Sequence, residues 1–342
     1  MRSWLFFFIS LIGPLLAKDG IIVAVCDKYM KDFYPALAWL RFQQKCNLPI
    51  EVWYSGDELS PYAKECLKRF GQIEFRDIAE VLGGEPEEYR GYQIKPLILQ
   101  QTQFDRVILM DADIYLYIDP KELFDLPEFI ETGAFFFRDT DNRWYVSPYS
   151  VKHPRGYTYE KFERRRKFLL EHIQSPSQYM PPDWRFFWSA FEPSDDYPQL
   201  GEFMESGLVI IDKNRHKKGI EEIVKLNLDW RRVYAIFLGD KDTFWIGMEI
   251  AGEPYSINSK IPYRLYGGLK LFRDSNRKVD LVHHVHEKLV FQQKSPIEIG
   301  LYPYYTGRWV DSEKIEVPKE ELEIFSALRY FFKRFNYKPE GK

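Results

Sequence analysis

The sequence predicts an α/β fold: a mixed, mainly parallel sheet flanked by helices. Three observations carry that expectation. Short β-branched runs alternate with segments of helical period through the first half of the chain. Glycine and proline mark the joints between them, as at Gly56, Pro61 and Gly71. The apolar run "RVILM", ending at Met110, stops abruptly at Asp111 and Asp113. In open α/β sheets the carboxyl ends of the strands are where ligands bind.

The elements follow in order. "GIIVAVC" (20–26) reads as a buried strand and "DFYPALAWLRFQQK" (32–45) as a helix with Pro35 in an early turn. "LPIEVWYSGDEL" (48–59) is a second strand ended by Gly56-Asp57, and "PYAKECLKRFG" (61–71) a helix closed by Gly71. "QIEFRDI" is a short strand, and "YQIKPLILQQTQ" (92–103) a helix leading into "RVILM". Residues 138–200 change character, with dense Arg, Tyr, Trp and Pro around an amphipathic helix "EKFERRRKFLLEHI"; they read as an insertion. "ESGLVIIDK" (205–213) restores a strand, helices follow at 216–228 and 242–251, and "EPYSIN" and "KVDLVHHVHEK" are late strands. The tail, 318–336, is a helix with the stripe Leu322, Ile324, Phe325, Leu328, Phe331 and Phe332, which packs it on the domain.

One domain is expected over 18–342, after a segment of different kind at 1–17. That segment has Arg2, then an apolar run, then small Ala17, the layout of a secretory signal peptide. Gly13-Pro14 interrupts it, and it is short for a membrane span, which needs roughly 20 residues. The other reading is a short signal anchor without a stem, which would associate the protein with a membrane. Either implies the lumen of the secretory pathway or export. Of the 342 residues, 45% are hydrophobic and 17% aromatic, and the net charge is −3 with mixed signs. No global positive field is present to hold nucleic acid. The aromatic surplus suits a large core, a carbohydrate cleft, or both. Cys26, Cys46 and Cys66 allow one disulfide and leave one thiol; their spacing does not suggest zinc.

Side chains on an extended chain alternate, so Asp111 and Asp113 are expected on one side. Adjacent carboxylates need a cation, a shared proton or open water. A hard divalent ion would satisfy them and bridge phosphates; a solvated acidic turn is the plainer alternative. His283, His284 and His286 end another apolar strand and could complete such a site, with Lys288 close behind to meet a phosphate. In "LGDKDTFWIG", Asp240 and Asp242 precede a helix; Asp242 with Thr243 fits a helix N-cap, and either acid could instead face a substrate hydroxyl. Glu205-Ser206-Gly207 precedes a strand, where Gly207 would permit close backbone approach. Lys95, on the helix before the Asp111 strand, reads from pattern alone as an exposed position.

As a set these segments resemble a known family. "RVILMDADIYLYIDP" resembles the DxD segment of GT-A (Rossmann-like) glycosyltransferases. The ordered run "LPIEVWYSGDEL", "GYQIKPLILQQTQFDRVILMDAD", "ESGLVIIDKNRH" and "GDKDTFWIG" is similar to the fungal-type α-mannosyltransferases of glycosyltransferase family 71, which includes yeast Golgi α-1,3-mannosyltransferases. It is more distantly similar to the glycogenin-like family 8. The resemblance covers roughly residues 20–290. It implies that Asp111 and Asp113 bind Mn²⁺ or Mg²⁺ holding the diphosphate of a nucleotide-sugar, that Lys95 lies near the donor, and that a late histidine joins the metal. Here "HHVHEK" lacks the glycine that follows that histidine in family 8, so His283, His284 and His286 all remain candidates. It also implies that the acid of "GDKDTF" faces the transferred sugar or acceptor, favouring Asp240 over Asp242.

The function so implied is a metal-dependent retaining hexosyltransferase, with GDP-mannose as donor and a glycan or glycoconjugate hydroxyl as acceptor. Catalytic candidates are Asp240, Asp242 and Glu205; donor-binding candidates are Lys95, Asp111, Gly207 and Lys288. The insertion 138–200 is expected to shape the acceptor site. Two other functions are compatible with the sequence: a UDP-sugar-dependent transferase of the family 8 type, and a secreted carbohydrate-binding protein without activity.

Overall fold

The protein is described by a computed structural model. It describes residues 18–139, 159–188, 203–258, 263–264, 270–273, 279–283 and 319–340. The candidates His284, His286 and Lys288, the segment 1–17 and much of 138–200 lie outside the described residues; of His283 the backbone is described.

The elements alternate as expected. Strand β1 (Asp19–Ala24) leads to helix α1 (Met30–Ala38), which holds Pro35 and passes into a π-helical turn over Trp39–Gln43. Then come β2 (Ile50–Tyr54), α2 (Pro61–Lys68) and β3 (Ile73–Asp77). Ser60 caps α2 by accepting from the Ala63 N–H, with Pro61 at the first helical position. Next are α3 (Ile78–Leu82), α4 (Ile94–Gln101), β4 (Arg106–Met110) and the short β5 (Tyr115–Leu116). The segment after Pro120 adds α5 (Pro127–Thr132) and β6 (Ala134–Arg138), and α6 (Tyr159–His172) lies in the aromatic-rich middle. Strand β7 (Met204–Asp212) precedes α7 (Lys217–Leu228), α8 (Trp230–Val233) and α9 (Thr243–Ala251). Short strands β8 (Ser256–Ile257), β9 (Tyr263–Arg264), β10 (Lys270–Arg273) and β11 (Val279–His283) follow, and α10 (Lys319–Arg334) ends the described chain.

The main sheet has the order β3-β2-β1-β4-β7-β6-β8. Its strands run in parallel except β7, which is antiparallel to both β4 and β6. The mixed, mainly parallel sheet predicted from the sequence is therefore present. Alternation splits the core across its two faces. Ile22, Val107, Leu109, Phe136, Val209 and Ile211 pack on one side with α4, α7 and α9. Ile21, Val23, Ile108, Met110, Phe135 and Ile210 pack on the other with α1 and α2.

Several elements differ from expectation. The late run "KVDLVHH" does not join the main sheet; β11 pairs with β5 and β10 in a second sheet of order β5-β11-β10-β9. "EPYSIN" contributes only the short β8. Strand β6 and helices α3 and α5 went unread, because "AFFFR" and "IAEVL" are too short for a period to show. The three cysteines are free thiols and form no disulfide. Among the described residues, no helix is long and apolar enough to cross a membrane.

Candidate active site at the carboxyl edge of the sheet

The site assembles where β4 ends. The strand stops at Met110, and Asp111, Ala112 and Asp113 leave it in a turn, so the expected placement of both acids on one strand face is corrected. Asp111 alone keeps the alternation, following Val107 and Leu109 toward the α4 face. Its N–H donates to the Gly207 carbonyl at 2.8 Å. That bond ties the turn to β7, which runs the other way and so starts where β4 finishes.

Strand β7 is irregular here. Its ladder to β6 jumps from Phe136↔Val209 to Phe137↔Glu205, leaving Ser206, Gly207 and Leu208 without partners in β6. Such a bulge redirects side chains at the rim of a sheet. Glu205-Ser206-Gly207 thus lies inside the strand rather than ahead of it.

Lys95 sits at the amino end of α4, which points at the same edge. Pattern alone read it as exposed; it is buried. Its Nζ donates to Asp111 Oδ1 at 2.9 Å and to the Ser206 carbonyl and Oγ, each at 3.1 Å, and pairs with Asp240 Oδ2 at 3.0 Å. One ammonium therefore links the DxD turn, the β7 bulge and the "GDKDT" loop. Burial disfavours that ammonium, yet Asp111 and Asp240 outweigh it and hold Lys95 above the ordinary lysine value. Burial pushes the Asp240 carboxyl up, and Lys95 pulls it back.

A second lysine does similar work beside it. Lys241 Nζ donates to Asp139 Oδ2 at 2.7 Å and to Glu205 Oε2 at 3.2 Å. Glu205 Oε1 accepts from the Gly207 N–H at 3.2 Å. Neither Lys241 nor Asp139 was a sequence candidate. The signal was there: Lys241 separates the two acids singled out in "GDKDT", and Asp139 ends "AFFFRD" much as Asp111 ends "RVILMD".

Asp242 stands at the N-cap position of α9, as expected. Its side chain makes no cap bond to α9. Its Oδ1 accepts from the N–H groups of Phe203 and Met204 at 3.0 and 3.1 Å and from Trp245 Nε1 at 3.0 Å. The start of α9 is served instead by Thr243 N–H donating to the Asp240 carbonyl. Asp242 thereby fastens the strand entry to the helix, and Asp240 is left facing Lys95.

The chemistry of this donor set is plain. Asp111, Asp139, Glu205 and Asp240 meet two lysines, Lys95 and Lys241, so the ionised cluster keeps a net negative charge. Oxygen donors with surplus negative charge suit a hard divalent cation. Asp111, at 28% side-chain exposure, faces the open edge, whereas the Asp240 side chain is 3% exposed. Among the described residues, no group of three or more His, Cys, Asp or Glu side chains converges tightly enough to hold a metal. The third ligand expected from His283, His284 or His286 concerns side chains outside the described residues.

A mixed, mainly parallel sheet with the DxD turn at its carboxyl edge is the architecture that the resemblance to glycosyltransferases implies. The comparison with known families is more specific. The chain belongs to the mannosyltransferase family whose model, Mannosyl_trans3, is described as "Mannosyltransferase putative" and matches residues 18–284. Similar curated proteins include "Putative alpha-1,3-mannosyltransferase MNN14" of Candida albicans, 24% identical over 78% of this chain and 38% of its own length. Another is alpha-1,3-mannosyltransferase MNT3 of Saccharomyces cerevisiae, 24% identical over 70% of this chain and 39% of that protein. The chain thus spans about two fifths of the length of these relatives. A crystal structure of the galactosyltransferase LgtC with donor and acceptor sugar analogs overlays 94% of this chain and 98% of that one, at 13% identity and a TM-score of 0.49.

Proposed function

We propose that this chain carries the catalytic site of a metal-dependent, retaining mannosyltransferase. It would move mannose from GDP-mannose to a hydroxyl of a glycan or glycoconjugate. The observation that carries the reading is Lys95, buried between Asp111 and Asp240 and joining the DxD turn to the "GDKDT" loop. Family membership supports mannose as the sugar.

Asp111 and Asp113 would hold Mn²⁺ or Mg²⁺, with a late histidine as the further ligand. When bound, such an ion offsets the negative charge of a departing nucleoside diphosphate. The chain's own residues do the rest. Lys95 holds Asp111 at the mouth of the site and supplies Asp240 with its counter-charge. Asp240, fixed and shielded from water, is suited to orient a sugar hydroxyl or face positive charge growing at the anomeric carbon. Lys241 holds Glu205 and Asp139 beside it as a second acidic wall. The acceptor hydroxyl would approach on the face the diphosphate leaves, where a phosphate oxygen takes its proton. No side chain is then required as the sole base. Residues 1–17 would direct the protein to the secretory pathway lumen or tether it there.

The test is donor turnover with and without Mn²⁺, using GDP-mannose beside UDP-glucose, UDP-galactose and UDP-N-acetylglucosamine. GDP-mannose is expected to be preferred, and Asp111→Ala to lower its turnover by about 10²-fold or more. Near-normal turnover in that variant would remove the metal assignment; preference for a UDP-sugar would remove the donor assignment.

A further inference from the structure

Near Asp240 the surface carries apolar area that folding has not buried. Tyr92 is 64% exposed, Trp230 38%, Leu228 61% and Leu238 52%. Tyr92 lies just before α4, three residues ahead of Lys95; Leu228 ends α7, and Trp230 and Leu238 belong to the α7–α9 connection that includes Gly239-Asp240. The rings follow one another. Tyr92 and Tyr234 have centroids 6.5 Å apart, and Tyr234 and Trp230 6.4 Å. Arg231 braces Trp230 from 4.9 Å.

We propose that the ridge Tyr92–Tyr234–Trp230 is a stacking platform for the sugar rings of an oligosaccharide acceptor. This rests on the transferase reading above and adds to it where the acceptor lies. Two features fix the ridge to the reacting end of the site. Tyr92 packs on Gly239: a Cβ there would lie 3.2 Å from its ring, and Gly239 has φ +64, a conformation other residues rarely adopt. A buried hydrogen-bond chain also joins ridge to loop. Tyr234 Oη donates to Asn227 Oδ1 at 2.5 Å, Asn227 Nδ2 donates to Thr243 Oγ1 at 2.8 Å, and Thr243 Oγ1 donates to the Asp240 carbonyl at 2.5 Å. Asn227 and Thr243 are fully buried. Exposed Tyr92 and Trp230, with half-buried Tyr234 between them, offer apolar ring faces that match the C–H faces of pyranose rings. An exposed apolar patch of this kind marks a binding surface, and its place beside the Asp240 loop is set by rigid contacts.

The test compares methyl α-mannoside with an α-linked mannotetraose as acceptors. For Trp230→Ala and Tyr92→Ala, the kcat/KM ratio of tetrasaccharide over monosaccharide is expected to fall about threefold to tenfold, mainly through KM. Tyr92→Phe, which keeps the ring, is expected to retain the wild-type ratio. Trp230→Gln gives a second variant at an exposed position should an alanine variant fold poorly. Calorimetric binding of mannotetraose to the same proteins without donor is expected to weaken in parallel. An unchanged ratio in an active enzyme overturns the platform alone. Wild-type protein that binds mannotetraose through these rings but turns over no nucleotide-sugar keeps the platform and ends the transferase reading. Wild-type protein with no preference for, and no binding of, the tetrasaccharide overturns the platform.

Discussion

At the scale of the residue, the adjacent acids Asp240 and Asp242 separate cleanly by partner. Asp240 faces a lysine; Asp242 faces N–H donors of the backbone and an indole. Asp242→Ala leaves those donors without their acceptor and is expected to cost about 2–3 kcal/mol in urea unfolding. Asp242→Asn keeps an accepting oxygen and should cost far less. Asp240→Asn is expected to do the reverse, lowering turnover with little change in the unfolding midpoint. Lys95→Met strands two carboxylates and should destabilise by about 3 kcal/mol, with part of that recovered in the double variant Lys95→Met/Asp240→Asn. Pattern reading could pair neither lysine with its acids. Lys95 and Asp240 are 145 positions apart along the chain, and helical periodicity gives no hint that a lysine beside buried Ile94 points into a site.

At the scale of the element, helices α7 and α9 cross with unusually close backbones. A Cβ on Gly247 would lie 2.8 Å from the Ile223 nitrogen, and one on Gly219 would meet the Met248 sulfur at 2.4 Å. Gly247→Ala must move a backbone and is expected to cost about 1–3 kcal/mol; Gly219→Ala meets a flexible side chain and should cost less, both read from urea unfolding. The "GDKDTFWIG" segment therefore ends in a packing glycine, while near its start lies the acid that pairs with Lys95. Strands such as "GIIVAVC" and "RVILM" were legible because both their faces are buried and apolar. The DxD turn was legible as a motif but not as a shape, since alternation holds only while the strand lasts and β4 ends one residue before Asp111. The second sheet was not legible, because β5 is two residues long and its partner lies far along the chain.

At the scale of the whole molecule, the carboxyl-terminal helix closes the structure behind the DxD turn. Phe331 packs on Trp39 with centroids 4.9 Å apart, and Phe332 stacks on Tyr115 at 5.9 Å, two residues beyond Asp113. Trp39 Nε1 also donates to the Leu116 carbonyl at 2.6 Å. Of the apolar stripe read from the tail, Leu328, Phe331 and Phe332 are core. Phe331→Ala is expected to lose about 3 kcal/mol, seen as a lowered thermal midpoint. The antiparallel strand within the main sheet has a consequence for how the molecule is made. Strand β7 sits between β4 and β6 although both precede it in the chain. As the protein is synthesised, β4 and β6 emerge with a gap between them, and their inner edges stay open until residue 212 is available. Asp111 then meets Gly207, and Lys95 meets Asp240, only after the central strand has been inserted. The chain is exposed to mispairing through that interval, and the Lys95–Asp240 pair cannot form until the interval ends.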